Sequence, residues 1–376
     1  MNELRDQVCA EKEYMINLRR DFHRHPELSL QERRTAGVIE QELERFEISH
    51  TRIGATGVLG ILRGTQSGSG VVALRADIDA LPIQETNDVE YRSQTDGIMH
   101  ACGHDAHTAS LLGAAKVLSQ NRDRFGGELR FLFQPAEETT GGAKRVCESG
   151  VFERYHVTRI FGMHLWPDLP AGSLASRPGP LLARSSETTV TFHGVSSHIA
   201  KWRDGRDALG AAARFVVGSK WLSRKLEQDE PFLLRFGHMT AGTVRNAVAG
   251  QARVEGSLRV FSDDMFARAQ DEVRALAQTA DEEGCTFDLH FSEGYPPVVN
   301  DGTLFGEAAQ ALPELERVPE PLLIAEDFAF YQRYLPGVFF LLGTGTGIPL
   351  HADTFNFDER VLLRGVRAYQ QLLFGV

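Results

Sequence analysis

With 376 residues and a formal charge of −11, the chain is too long for one typical hydrophobic core and too acidic to favour a polyanion. Two domains are therefore expected, with neither nucleic acid nor a membrane surface as partner. Its 42% apolar share is ordinary for a soluble globular protein, and its four widely spaced cysteines form no disulfide framework. The N-terminus is charged and no apolar run could span a bilayer, so a cytoplasmic home is expected, where Cys102 stays a free thiol or thiolate.

Along the chain, Tyr14, Leu18 and Phe22 repeat at helical spacing over residues 11–24, and Pro26 stops that helix. A second helix is expected over 31–46. The short apolar run 71–76 reads as a buried strand that ends at Asp77-Ile78-Asp79. Similar strands are expected at 129–133, 158–163 and 338–342, with an Ala- and Leu-rich helix over 108–118. Strands alternating with helices predict an α/β fold, a mixed-sheet catalytic domain with helices on both faces. Each candidate ligand group is expected at or soon after a strand, where open α/β sheets place their sites.

Between residues 185 and 294 the pattern changes. Strands are expected over 188–192, 231–238, 251–260 and 286–291, and helices over 207–225 and 265–283. That β-α-β-β-α-β order is the ferredoxin-like unit. It is inserted into the larger domain, which comprises residues 1–184 and 295–376.

The densest chemistry lies in His100-Ala101-Cys102-Gly103-His104-Asp105-Ala106-His107. Cys102 and His104 flank a glycine turn and can reach one centre. Thiolate and imidazole suit Zn, Mn, Co or Ni rather than Mg or Ca. His107 falls one turn into the helix, where it could orient a ligand rather than be one. Glu137 and Glu138 follow a strand, and adjacent carboxylates repel unless a cation lies between them or one is protonated. With one as ligand, its neighbour can serve as base. His164 ends a strand and His351 sits in a Gly/Pro-rich loop. Five ligands (Cys102, His104, Glu138, His164 and His351) are too many for one tetrahedral zinc with an open position. They suit two divalent ions about 3.5 Å apart.

These residues lie within longer motifs: 20–27 (RDFHRHPE), 74–82 (LRADIDALP), 99–105 (MHACGHD), 134–138 (QPAEE) and 325–328 (AEDF). Together they resemble the dinuclear-metal amidohydrolases that include hippurate hydrolase, auxin-conjugate amidohydrolases and N-acetyldiaminopimelate deacetylase, kin of the aminoacylases and carboxypeptidases. The resemblance covers essentially the whole chain. It implies that the five ligands hold Mn or Zn, with Co or Ni as alternatives, and that Glu137 is the general base. It also implies that the inserted unit is a lid that mediates homodimerisation. His198 then matches a histidine that reaches the partner subunit's site and polarises the scissile carbonyl. Asn246 matches a lid residue near the substrate, and Arg245 beside it is a candidate carboxylate clamp. Asp77 is expected to hold a ligand side chain in position, as is Glu326 or Asp327.

The family's lid motif usually has Gly-Gly-His-Ala before a proline-histidine segment. This chain has Ser196-Ser197-His198-Ile199-Ala200-Lys201-Trp202, so no named relative's substrate transfers to it. The expected reaction is hydrolysis of the amide bond of a small N-acyl amino acid. Alternatives are a dipeptidase or carboxypeptidase of the same superfamily, N-acetyldiaminopimelate deacetylation, and, more remotely, a non-catalytic metal- or ligand-binding protein. A Cys102 nucleophile is a further reading, which leaves Glu138, His164 and His351 unused.

Overall fold

Helices α1 (Asn2–Ala10), α2 (Lys12–Arg24) and α3 (Arg33–Arg45) open the chain in the computed structural model, which describes residues 2–374. Helix α2 buries Met15, Leu18 and Phe22 along one face. It ends at Arg24 because the residue before Pro26 is pushed out of helical geometry. Strands β1 (Ser49–Ile53), β2 (Gly57–Arg63) and β3 (Gln66–Asp77) lead to α4 (His104–Ser119) and β4 (Gly126–Gln134). The short helices α5 (Glu137–Thr140), α6 (Gly142–Glu148) and α7 (Val151–Arg154) precede β5 (Arg159–Trp166), β6 (Leu174–Ser176) and β7 (Gly179–Leu182). Next come β8 (Arg184–His193), α8 (Ala208–Leu226), β9 (Leu233–Ala241), β10 (Gln251–Val260), α9 (Asp263–Ala277) and β11 (Thr286–Phe291). The chain closes with β12 (Val298–Asn300), α10 (Gly302–Ala311), β13 (Leu315–Arg317), β14 (Gly337–Gly343) and α11 (Val361–Phe374).

Contacts divide these elements into two units. The first comprises Met1–Leu181, Val299–Pro319 and Asp327–Val376, and the second Leu182–Val298 with Glu320–Glu326. In the first, eight strands form one mixed sheet in the order β1-β2-β4-β3-β5-β14-β6-β13. The central β4-β3-β5-β14 run is parallel, while β1 with β2, β2 with β4, and β14 with β6 pair antiparallel. Every residue of β14 is buried, as is all of β5 but Arg159, so both faces of the central strands are covered. Helix α4 is buried almost all round, which explains its Ala/Leu composition.

One positional expectation fails. Cys102 and His104 do not directly follow a strand. After β3 ends at Asp77 the chain runs through 78–103 and returns, so that these residues arrive at the start of α4. The return is tied down where Ala80 N–H donates to Glu27 O (2.9 Å) and where Leu81 pairs with Met99.

In the second unit the antiparallel sheet order is β11-β8-β10-β9. Val190, Phe192, Ala252, Val254 and Leu258 alternate onto one face and pack with Phe215 of α8 and Val273 of α9. The strand expected from residue 231 starts instead at Leu233 and reaches Ala241, since Pro231 has no N–H for the ladder. The helix expected to run to residue 283 ends at Ala277. A 3₁₀ turn continues to Glu283 and stops at left-handed Gly284. No helix among the described residues is long and apolar enough to cross a membrane.

Candidate metal centre

The first unit brings Cys102, His104, Glu137, Glu138, His164 and His351 together. Candidate ligand atoms of Cys102, Glu138 and His351 lie within 4.8 Å of one another, and so do those of His104, Glu137 and Glu138. Each side chain is aimed by a local device. Gly103 has φ +86° at the turn into α4, and a Cβ there would fall 2.7 Å from Leu165 Cδ1. Only glycine lets Cys102 and His104 turn toward one point. The Cys102 Sγ lies 3.3 Å from His164 Nε2.

The two buried imidazoles are set by hydrogen bonds on their far side. His104 Nδ1 donates to Asp79 O at 2.9 Å, and His164 Nδ1 donates to Leu165 O at 2.7 Å. Each bond leaves the Nε2 lone pair facing the centre, the arrangement that metal-ligating histidines adopt. Among the described residues, buried His104 Nε2 and Glu138 Oε1 make no hydrogen bond. They lie 3.7 Å apart, and His351 Nε2 is 3.5 Å from the same Glu138 oxygen.

Glu137 and Glu138 sit on a clamped turn. Ala136 is left-handed at φ +58°, and a Cβ on Gly142 would fall 1.7 Å from Pro135 O. Three buried carboxylates take the turn's donors. Glu32 accepts Ala136 N–H (2.9 Å), Asp79 accepts the N–H groups of Glu137 (3.1 Å) and Glu138 (3.0 Å), and Asp327 accepts Ala143 N–H (2.9 Å). Asp327 is itself fixed by Arg75 and Gln134, and its own N–H points at Glu137 Oε1 at 3.4 Å. Glu326 belongs to the second unit.

The electrostatics favour positive charge at this point. Burial alone would lower His104, but Asp77, Asp79 and Glu138 push it up to about 10. Burial, with Glu138 and Glu137, raises the Cys102 thiol well above its ordinary value. His164 is pushed down by burial and by His107, so it is neutral and able to donate a lone pair. A thiol, three imidazoles and a carboxylate, two of whose donor atoms (His104 Nε2 and Glu138 Oε1) are buried and unshared, fit borderline-soft divalent ions.

Asp77 is the residue expected from the sequence to hold a ligand in position. In the structure Asp77 bonds Arg75 (2.7 Å) and His107 (2.6 Å), and its Oδ2 is 3.6 Å from His104 Nε2. Asp79 is the side chain that reaches His104 Nδ1 (3.3 Å), and it also accepts Ser29 Oγ–H (2.7 Å). Burial opposes its ionisation, but bonds from His104, Ser29 and the Glu138 N–H hold it below the usual carboxylate range. Asp79→Asn is therefore expected to weaken metal binding 10- to 100-fold. Titration against a chromophoric chelator measures this, and unchanged affinity would mean that the Asp79 carbonyl alone anchors His104.

His198, Arg245 and Asn246 lie in the second unit, all exposed. Two of them are tied together, since Asn246 O accepts Ile199 N–H at 2.9 Å and His198 bridges to Ala247. His198 Nδ1 accepts Ala200 N–H at 3.1 Å, which leaves the proton on its exposed Nε2.

The Peptidase family M20/M25/M40 matches residues 73–374. An N-acetylcysteine deacetylase of Bacillus subtilis (strain 168) is 37% identical over 369 residues, 95% of each chain. Thermostable carboxypeptidase 2 of Saccharolobus solfataricus is 34% identical over 386 residues, covering 99% of this chain and 98% of that one. A solved Bacillus subtilis structure, described as a dinuclear metal binding peptidase from the M20 family, superposes with a TM-score of 0.86. It is 35% identical and covers 97% of this chain and 98% of its own.

Proposed function

The chain belongs to the peptidase family M20/M25/M40, and from that premise we propose that it hydrolyses the amide bond of small N-acylated amino acids. Cys102, His104, Glu138, His164 and His351 would hold two divalent ions, Mn or Zn, with Co or Ni as alternatives. The observation that carries this reading is the set of buried, unshared donor atoms beside a second carboxylate, Glu137, clamped by its own backbone. Deacetylation has the support of the 37% identical N-acetylcysteine deacetylase.

When bound, the ions would supply Lewis acidity, which makes water a nucleophile at about pH 7. Glu137 takes a proton as the water oxygen bonds to the acyl carbon. It returns that proton to the amide nitrogen as the C–N bond breaks, acting first as base and then as acid. His198, with its proton on Nε2, is a donor for the carbonyl oxygen as negative charge gathers there. Arg245 and Asn246 are proposed to contact the substrate, Arg245 through its carboxylate.

The second unit, from β8 to β11, is proposed as lid and dimerisation domain. Helix α8 exposes Leu209, Val217 and Trp221, the last 66% accessible, and β9 is an edge strand paired, among the described residues, with β10 alone. A second copy would cover both.

The test is amine release from a panel of N-acetyl and N-benzoyl amino acids, alongside dipeptides, by Mn-loaded protein. Faster cleavage of N-acyl amino acids supports the proposal, and preference for dipeptides would move the chain toward the carboxypeptidase relative. Silence across both classes would sink it. In the same assay His198→Ala is expected to lower turnover roughly 100- to 1,000-fold, the usual worth of one oxyanion donor, with metal content unchanged. Normal turnover would remove His198 from the site.

A further inference from the structure

His107 sits among the candidate ligands yet has no lone pair to offer. Its ring lies 4.5 Å from that of His164 and 5.5 Å from that of His104, centroid to centroid. Its Nδ1 faces Asp77 Oδ1 at 2.6 Å, and its Nε2 accepts the Leu165 N–H at 3.0 Å. Because a backbone N–H can only donate, Nε2 must be the acceptor and Nδ1 must carry the proton. Both ring nitrogens are thus engaged before any ion arrives.

The Leu165 N–H needs such a partner because of where the sheet ends. The β3–β5 ladder stops at Arg75 opposite Gly162. His164 and Leu165 run past it, so on that side the ladder gives Leu165 no acceptor. The His107 ring takes the place of the missing ladder acceptor. It is braced in turn, since Asp77 is gripped by Arg75 and Thr108 Oγ donates to Asp77 O at 3.0 Å. The Leu165 C=O accepts the proton of His164 Nδ1 at 2.7 Å. The Leu165 side chain also packs over the Gly103 turn.

We infer that His107 is a positioning residue. By holding the Leu165 N–H it fixes the end of β5, so that the Leu165 carbonyl holds the His164 ring with its Nε2 lone pair toward Cys102. The order of action runs from Asp77 to His107, through Leu165, to His164. The inference rests on the metal reading only for its consequence; the hydrogen-bond order itself can be read without metal.

Two variants separate the two bonds of the ring. In His107→Asn the shorter amide reaches only the Nδ1 position and keeps the donor to Asp77. In His107→Gln the amide oxygen reaches the Nε2 position and keeps the acceptor for Leu165. On metal-free, ¹⁵N-histidine-labelled protein, imidazole nitrogen shifts report the His164 tautomer. Expected are one tautomer in the wild type, protonated at Nδ1, a mixture in His107→Asn, and recovery toward one form in His107→Gln. Titration with zinc against a chelator should show affinity 10- to 100-fold weaker in the Asn variant, and substantially restored in the Gln variant. An unaltered His164 tautomer in His107→Asn, or equal losses in both variants, would overturn the inference, the latter by reducing the ring to packing.

If neither variant folds, uniformly ¹⁵N-labelled wild-type protein carries the test. A nitrogen–nitrogen scalar coupling across the Leu165 N–H···Nε2 bond is expected, and its absence rejects the proposal. A protein that showed the tautomer pattern but bound no zinc would leave the hydrogen-bond order standing and overturn the metal reading instead.

Discussion

Glu137→Gln is expected to lower amine release about a thousandfold, within the range for loss of a general acid–base group, while the content of bound metal stays the same. The substitution keeps the shape of the side chain and every backbone bond of the turn. Ala136, Glu137 and Glu138 would still donate to Glu32 and Asp79. What disappears is the capacity to take a proton from water and hand it to the departing nitrogen. Glu137 is nearly buried, and the Asp327 N–H directed at its Oε1 restricts where the carboxylate can point. Steady-state amine release with elemental analysis of the same samples decides the matter. A loss below tenfold would place the base elsewhere, and loss of metal along with activity would make Glu137 a ligand.

Removing the metal should have an effect as large, and on stability as well. Dialysis against a chelator is expected to abolish turnover, and Mn, Co or Zn to restore it. The melting temperature should fall on the order of ten degrees, because an ion present at a thousand times its dissociation constant stabilises the fold by about 4 kcal/mol. The structure gives a specific reason. Asp77, Asp79 and Glu138 raise the pKa of His104, and Glu137 stands beside it, so the carboxylates here favour a positive charge. A thiol hydrolase built on Cys102 would keep its activity under chelation, and that outcome would reverse the reading. It would also have to explain a thiol that its surroundings hold protonated.

The central strands were legible because burial on both faces writes itself as unbroken apolar runs, as at 71–76 and 338–342. The half-exposed edge strand Ser49–Ile53 carries no such run, and was missed. The density of Cys, His and Glu marked the site, since few other arrangements call for it. Its supports were harder to see. Asp77 and Asp79 stand two apart past one strand end, and only the course of the 78–103 segment decides which carboxylate meets His104. Nothing in the sequence around Glu32 sets it apart from an ordinary glutamate near a helix start. It proves fully buried, holding Thr56 and the left-handed Ala136 from a position far away in sequence. His107 is recognisable as a neighbour of the candidate ligands, but its engagement with Leu165 depends on where the β3–β5 ladder stops, and no local pattern records that.

His351 differs from the other four donors in a way that concerns time rather than affinity. Cys102, His104, Glu138 and His164 present side chains that are at most 7% accessible, whereas His351 is 51% accessible and stands on irregular backbone at φ +67°. Its loop is fastened by Thr344 N–H to Trp166 O, Gly347 N–H to Pro167 O, His351 N–H to Ala101 O and Thr86 to Asp353. An ion held here as proposed is therefore expected to leave by the swing of one side chain and a few loop bonds, without any opening of the sheet. For an ion held by the five donors as proposed, residence time is expected to depend on residues 344–353 and Thr86, and the preference for one ion over another on the buried four.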